Sequence, residues 1–374
     1  MKGRNTLVWL CAITVGIVIK MTMGMAIHPA MFLFGDSLLD VGTNNHFHEC
    51  TARADHPYYG IDYPDSIATG RFSNGLSSAD LLAWYLNDYE FSPPPFLTLT
   101  ESSATLQLEL FHGTNFASAG SGILIDTGHA HFKRVVPLWE QIQQFATIRG
   151  NISQLLGNGT ADLFLGISTC IVSVGSNDLF EHQNALVQNQ TQPDQLIANL
   201  TATFAIHLQN LYDLGARKFG IIGVPPLGCC PKERYIDTQM GGNGSCVDAM
   251  NDLAQAFHAS TESLLRNFSS TNQGVVYSLG NTYNIIMDFI DNRRASGFEV
   301  VETACCGNGT FNAESGCELG SKLCPNRKNY IFWDEFHPTE ATARRAALTL
   351  AYADGPEFVT PMNFSTLAKA FTNM

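Results

Sequence analysis

Four short stretches of the 374-residue chain carry side chains that could perform acyl transfer if brought together. FGDSLLDVGTNN (34–45) offers Ser37, and NFASAGSGI (115–123) offers Gly120 and Gly122. VGSND (174–178) offers Asn177, and DEFHPTE (334–340) offers Asp334 and His337. A serine hydroxyl is a weak nucleophile and needs a base to take its proton. A histidine can do so near neutral pH when a carboxylate orients the imidazole and stabilises its charged form. The oxyanion of the tetrahedral intermediate needs preorganised N–H donors, each worth about 2.7–4 kcal/mol of barrier stabilisation. The main chain at Ser37, a closely approaching glycine and an Asn amide are donors of that kind. Each residue taken alone has a plainer role. Ser37 could cap a turn, Asn177 could bond its own loop and His337 could stand at a helix start. Asp36 and Asp40 read as turn and cap groups, and Asp178 reads as structural. His46, His129 and His207 lack a partner pattern and read as ordinary surface or core residues.

Elements able to gather these groups are legible. Five apolar runs, 30–37, 113–120, 170–178, 218–228 and 274–280, read as strands. Most are too continuous for a sheet with one wet face, so they suit a parallel sheet covered on both sides. Helical patterns separate them at 76–87, 193–215, 246–268 and 338–355. The first opens on serines able to cap it, Gly215 closes the second, and Pro338 suits a first turn. Segments 229–245 and 293–330 are rich in Gly, Asn and Cys and read as loops. Strand–helix alternation predicts a three-layer α/β/α sandwich with a mainly parallel five-stranded sheet, built as one domain over 27–374. Ligands of such sheets bind beyond the carboxyl ends of the strands, where three of the four stretches lie.

These four blocks, in this order, resemble those of the GDSL esterase/lipase family, also called SGNH hydrolases, and in particular its plant secreted branch. TGRFSNG (69–75), PPLGC (225–229) and PMNFSTLA (361–368) are similar to further stretches of that branch, so the resemblance spans essentially the whole mature chain. It implies a flavodoxin-like SGNH fold and a serine esterase that needs no cofactor. It implies Ser37 as nucleophile, His337 as base and acid, and Asp334 as the residue orienting His337. The oxyanion hole would comprise the Ser37 N–H, Gly120 and Asn177, with Gly122 as an alternative to Gly120. The substrate would be a carboxylic ester or lipid of unspecified chain length. An extracellular acyltransferase would use the same triad, and a non-catalytic cell-wall binding protein would keep the fold without the chemistry. A metallophosphoesterase would require an Asp-x-His near the first strand, which is lacking.

Bulk features bound the setting. Hydrophobic residues make up 45% of the chain, enough for a substantial core. The formal charge of −13 and pI near 5.2 offer no basic footprint for nucleic acid. Lys2 and Arg4 precede an apolar run, Leu7 to Ile19, then small residues at Gly24 and Ala26. That pattern predicts a signal peptide over 1–26, secretion to the extracellular space (cell wall or apoplast in a plant) and no membrane anchor after cleavage. Asn-x-Ser/Thr sequons at Asn151, Asn158, Asn189, Asn199, Asn243, Asn267, Asn308 and Asn363 agree with export. Ten cysteines, nine after cleavage, are disulfide candidates in an oxidising compartment. Seven fall in the second half: Cys229, Cys230, Cys246, Cys305, Cys306, Cys317 and Cys324. Their spacing suits bridges better than zinc, and an odd total leaves at least one thiol unpaired. Cys170, inside an apolar run, reads as a core thiol. Connectivity and oligomeric state are not legible.

Overall fold

The computed structural model describes residues 29–102, 106, 109–187 and 192–370. The expected leader and the Asn189 sequon lie outside the described residues. The described residues form eight strands: β1 Met31–Gly35, β2 Gly113–Asn115, β3 Thr169–Ser173, β4 Lys218–Ile222, β5 Val276–Gly280, β6 Cys306–Gly307, β7 Lys322–Leu323 and β8 Val359–Thr360. The main sheet runs β2-β1-β3-β4-β5-β8. Its first five strands are parallel, as expected, and a two-residue β8 adds an antiparallel edge.

Ten helices matter below: α1 Ser78–Asn87, α2 Leu138–Leu156, α3 Asn158–Ile167, α4 Ser176–Val187, α5 Pro193–Asp213, α6 Pro231–Gln239, α7 Asp248–Thr271, α8 Thr282–Asp291, α9 Glu340–Tyr352 and α10 Phe364–Lys369. Side chains alternate across each strand. Phe32 and Phe34 of β1 face one core with Phe145 of α2, Leu200 of α5 and Phe257 of α7. Met31 and Leu33 face the other, with Leu81 of α1, Ile285 of α8, Ala347 of α9 and Phe364 of α10. Both faces of the sheet are therefore dry, which accounts for the continuous apolar runs.

The strands are shorter than the apolar runs, for local reasons. Beyond Asn115 the edge turns out of regular strand geometry, with the Ala117 N–H donating to the Asn115 side chain (2.9 Å), although the Phe116 and Ser118 N–H groups still donate to the Leu33 (2.8 Å) and Gly35 (2.9 Å) carbonyls of β1. After Ser173, Gly175 takes φ +121° and α4 begins at Ser176. Two expectations are corrected. Segment 229–245 contains helix α6, with Pro231 in its first turn. Pro338 stands ahead of α9 rather than within it, since Thr339 is the cap and accepts the Thr342 N–H at 3.2 Å. Segment 293–330 is largely loop, as expected, apart from the small β6–β7 pair and two short 3-10 turns.

Candidate active site

The strand order places a topological switch between β1 and β3, where neighbouring connections leave in opposite directions and open a crevice. Ser37 follows β1 directly, and Ser176 and Asn177 follow β3. Gly35, just before, is held from two sides. Its N–H donates to Gln141 Oε1 (2.8 Å) and its carbonyl accepts from Gln141 Nε2 (2.9 Å). A Cβ at Gly35, where φ is +139°, would fall 1.9 Å from the Ser173 carbonyl oxygen, so only glycine lets β1 and β3 approach this closely.

Asp334 and His337 occupy a tight loop ahead of α9. The loop closes when the Trp333 N–H donates to the His337 carbonyl (2.7 Å). Asp334 lies buried at its centre and accepts the N–H groups of Phe336 (2.9 Å) and His337 (2.8 Å). Both Asp334 oxygens lie 2.8–2.9 Å from His337 Nδ1, and Oδ2 also accepts the Tyr59 hydroxyl (2.7 Å). Burial alone would raise the Asp334 carboxyl. The neighbouring His337 and these hydrogen bonds outweigh it and hold the group at about 2. An ionised carboxylate only accepts, so Nδ1 carries the hydrogen and Nε2 is left as acceptor. Nε2 lies 2.8 Å from Ser37 Oγ. Phe72 packs against the imidazole, ring centroids 4.7 Å apart.

The remaining donors converge on the same cleft. Ser37, Gly120 and Asn177 line it together. The main-chain N–H groups of Ser37 and Gly120 take no intramolecular partner among the described residues. Asn177 Nδ2 uses one hydrogen on the Ser121 carbonyl (2.8 Å) and keeps the other. Gly120 sits at φ +80°, where a Cβ would strike Phe132 at 2.4 Å. Gly122 instead packs against Asp178 and Thr127, away from the cleft lining. Asp178 accepts the N–H groups of Ile123 (2.9 Å) and Leu124 (3.0 Å) and the Thr127 hydroxyl (2.8 Å), so it holds the loop that presents Gly120. Asp40 ties the first block to the second by accepting the Ala119 N–H (2.8 Å).

Asp36 is buried beside Ser37, and burial pushes its carboxyl up to about 7. His46 lies at the surface near Glu101, and His129 bonds the Lys133 carbonyl. His207 is buried against the Ile123 carbonyl, and none of the three lines the cleft. Tyr59 and Gln141 escaped the sequence reading. They lie 275 and 106 positions from the groups they hold, and nothing local marks them. Six of the seven second-half cysteines pair, as Cys229–Cys246, Cys305–Cys324 and Cys306–Cys317. Cys50, Cys170 and Cys230 are buried free thiols. Among the described residues no group of three His, Cys, Asp or Glu is arranged to hold a metal ion.

A doubly wound α/β sandwich with Ser37, His337 and Asp334 hydrogen-bonded in line at its switch point has the architecture of an SGNH-type protein. The model of the GDSL-like lipase/acylhydrolase family matches residues 31–350, and the chain belongs to that family. A GDSL esterase/lipase of Arabidopsis thaliana is 34% identical, with 90% of each chain covered. A second from the same plant is 36% identical, covering 95% of this chain and 94% of its own. An extracellular lipase from Streptomyces rimosus, of known crystal structure, is 13% identical at a TM-score of 0.36, covering 86% of this chain and 98% of that one. The fold assignment rests on the sheet topology and the family match.

Proposed function

We propose that the protein is a secreted serine esterase that hydrolyses carboxylic esters through an acyl-serine intermediate. The supporting observation is the continuous relay from Ser37 Oγ through His337 to ionised Asp334, opening on a cleft of about 600 Å³. Ser37 Oγ attacks the ester carbonyl carbon while its proton passes to His337 Nε2. Asp334 accepts the Nδ1 hydrogen and stabilises the imidazolium. The oxyanion takes hydrogen bonds from the Ser37 and Gly120 N–H groups and from Asn177 Nδ2. Gly120 is preferred over Gly122 because it lines the cleft. The intermediate collapses, the C–O bond breaks, and His337 returns the proton to the departing alcohol. Water then attacks the acyl-serine with His337 as base and releases the acid. No step calls for a cofactor.

Residues 1–26 serve as leader in this reading, and the remainder works as one domain outside the cell. No helix of the described residues is long and apolar enough to cross a membrane. The test is turnover of p-nitrophenyl acetate and butyrate by wild type and Ser37→Ala, with circular dichroism on both. Wild type should turn over, and the folded variant should lose at least about 10⁴-fold in kcat. Activity retained by folded Ser37→Ala would sink the mechanism. Chelator should leave the rate unchanged.

A further inference from the structure

The cleft does not end at the reacting atoms. From Ser37 it continues as a branch into the core beneath α9, on the face of the sheet that carries Met31 and Leu33. Ala343, Ala346, Ala347 and Leu350 of α9 form one wall, at successive positions of a single helical stripe. Ile286 of α8 and Ile222 at the end of β4 line it as well. All six are buried, yet a cavity remains between them. Close-packed interiors leave few voids larger than a water molecule, so apolar space in this position is unusual for a core. The stripe from Ala343 to Leu350 extends about 10 Å along the helix axis.

We infer that this branch is the acyl-chain site: the aliphatic tail of the ester lies under α9 while its carbonyl sits at Ser37. The inference rests on the serine-esterase reading and deepens it to a substrate class, esters of medium-length aliphatic acids. Three observations favour a hydrocarbon tail. The branch is continuous with the nucleophile, its walls are aliphatic, and polar side chains there are few. The Thr342 hydroxyl is already committed to the Ile331 carbonyl (2.8 Å). Thr282, also buried, is the lining residue whose hydroxyl lacks a partner. The alanines on the stripe set the bore, since any larger side chain there would occupy the path of the tail.

The test is a chain-length profile on p-nitrophenyl acetate, butyrate, octanoate and palmitate. Wild type should prefer octanoate to acetate. Ala346→Leu fills the branch and should lose about 10-fold or more in kcat/KM for octanoate for each methylene excluded, while acetate turnover stays within about 3-fold. Ile286→Ala opens the opposite wall and should move the preference toward longer chains, which guards against an Ala346→Leu protein that fails to fold. Thr282→Val should leave the profile in place. A profile unchanged in both Ala346→Leu and Ile286→Ala would overturn the acyl-chain site and leave the esterase standing. Octanoate turnover lost in Thr282→Val would show that a polar group, not a hydrocarbon tail, is recognised there. Loss of acetate turnover in Ser37→Ala is read separately and concerns the esterase alone.

Discussion

Asp334 works through its hydrogen bonds as much as through its position. Tyr59 donates to Oδ2, one of the two carboxylate oxygens that face His337, and its own phenol is pushed well above the usual value by burial and by the Asp334 charge. The hydroxyl therefore stays a donor at any working pH. Tyr59→Phe removes one charge-assisted hydrogen bond, worth about 1.5–3 kcal/mol, and leaves the ring in place. Part of that appears as a less firmly held carboxylate. The expected outcome is a kcat reduced by about 10-fold with KM little changed. A fall in stability without a change in kcat would make Tyr59 a packing residue only. Asp36 makes a different prediction. Its carboxyl ordinarily ionises near 3.8 and here near 7, so between those values the folded chain holds a proton that the unfolded chain has lost. Stability from this group is fully present below about 4, declines as pH rises to about 7, and is level above that. Asp36→Asn keeps the oxygen that accepts the Leu38 N–H and removes the buried charge. Its stability advantage over wild type should be near zero at pH 4 and largest at pH 8, bounded by about 4 kcal/mol at roughly 1.4 kcal/mol per unit, and read from denaturant unfolding at each pH. Ser37, Asn177, Asp334 and His337 were legible because each stands in a short block whose residue types suit the chemistry. Tyr59, Gln141 and the reason for the Asp36 shift were not, because they arise from contacts between distant segments.

Elements were legible where burial writes a pattern. Strands β1, β3 and β4, dry on both faces, read as apolar runs, and α5 and α7 read from their stripes. The two-residue β8 leaves no pattern, and α6 hides in a segment whose cysteines and glycines suggest loop. Disulfide pairing is likewise a matter of which strands and turns meet. Cys305 and Cys306 stand beside the segment that leads into Asp334: their N–H groups donate to the carbonyls of Phe332 (3.0 Å) and Trp333 (2.7 Å). The bridges Cys305–Cys324 and Cys306–Cys317 thus anchor the loop that carries both Asp334 and His337. Replacing Cys306 and Cys317 together by Ala should cost about 2–4 kcal/mol in thermal or denaturant unfolding. It should also lower kcat at temperatures where the fold survives, since the loop is held from that side. Equal kcat in wild type and the double variant would confine the bridge to stability.

At the scale of the whole molecule the two helical layers are unlike. The branch beneath α9 and the loop bearing His337 belong to the layer of α1, α8, α9 and α10. Exposed sequon residues lie on the other side: Asn158 begins α3, Asn199 lies on α5 and Asn267 on α7. Asn243 is exposed in the turn after α6. None of these four lines the cleft. The half-buried Asn308 and Asn363 are differently placed. The Asn308 amide donates to the hydroxyls of Ser315 and Ser321 (3.2 Å each) inside the disulfide-bonded loop. The Asn363 side chain caps α10 by accepting the Thr366 N–H (2.8 Å) and also donates to Asp354 (3.2 Å). A glycan on either amide competes with bonds already made, whereas the four exposed ones are open to modification. Chain produced in a secretory host should therefore carry glycans at Asn158, Asn199, Asn243 and Asn267 ahead of Asn308 and Asn363, read by glycopeptide mapping. Enzymatic removal of the glycans should leave kcat/KM on short esters unchanged, because none of the four lines the cleft, while solubility falls. A secreted chain whose mass does not change on glycosidase treatment would overturn the glycoprotein reading, and one retained with residues 1–26 intact would overturn export itself.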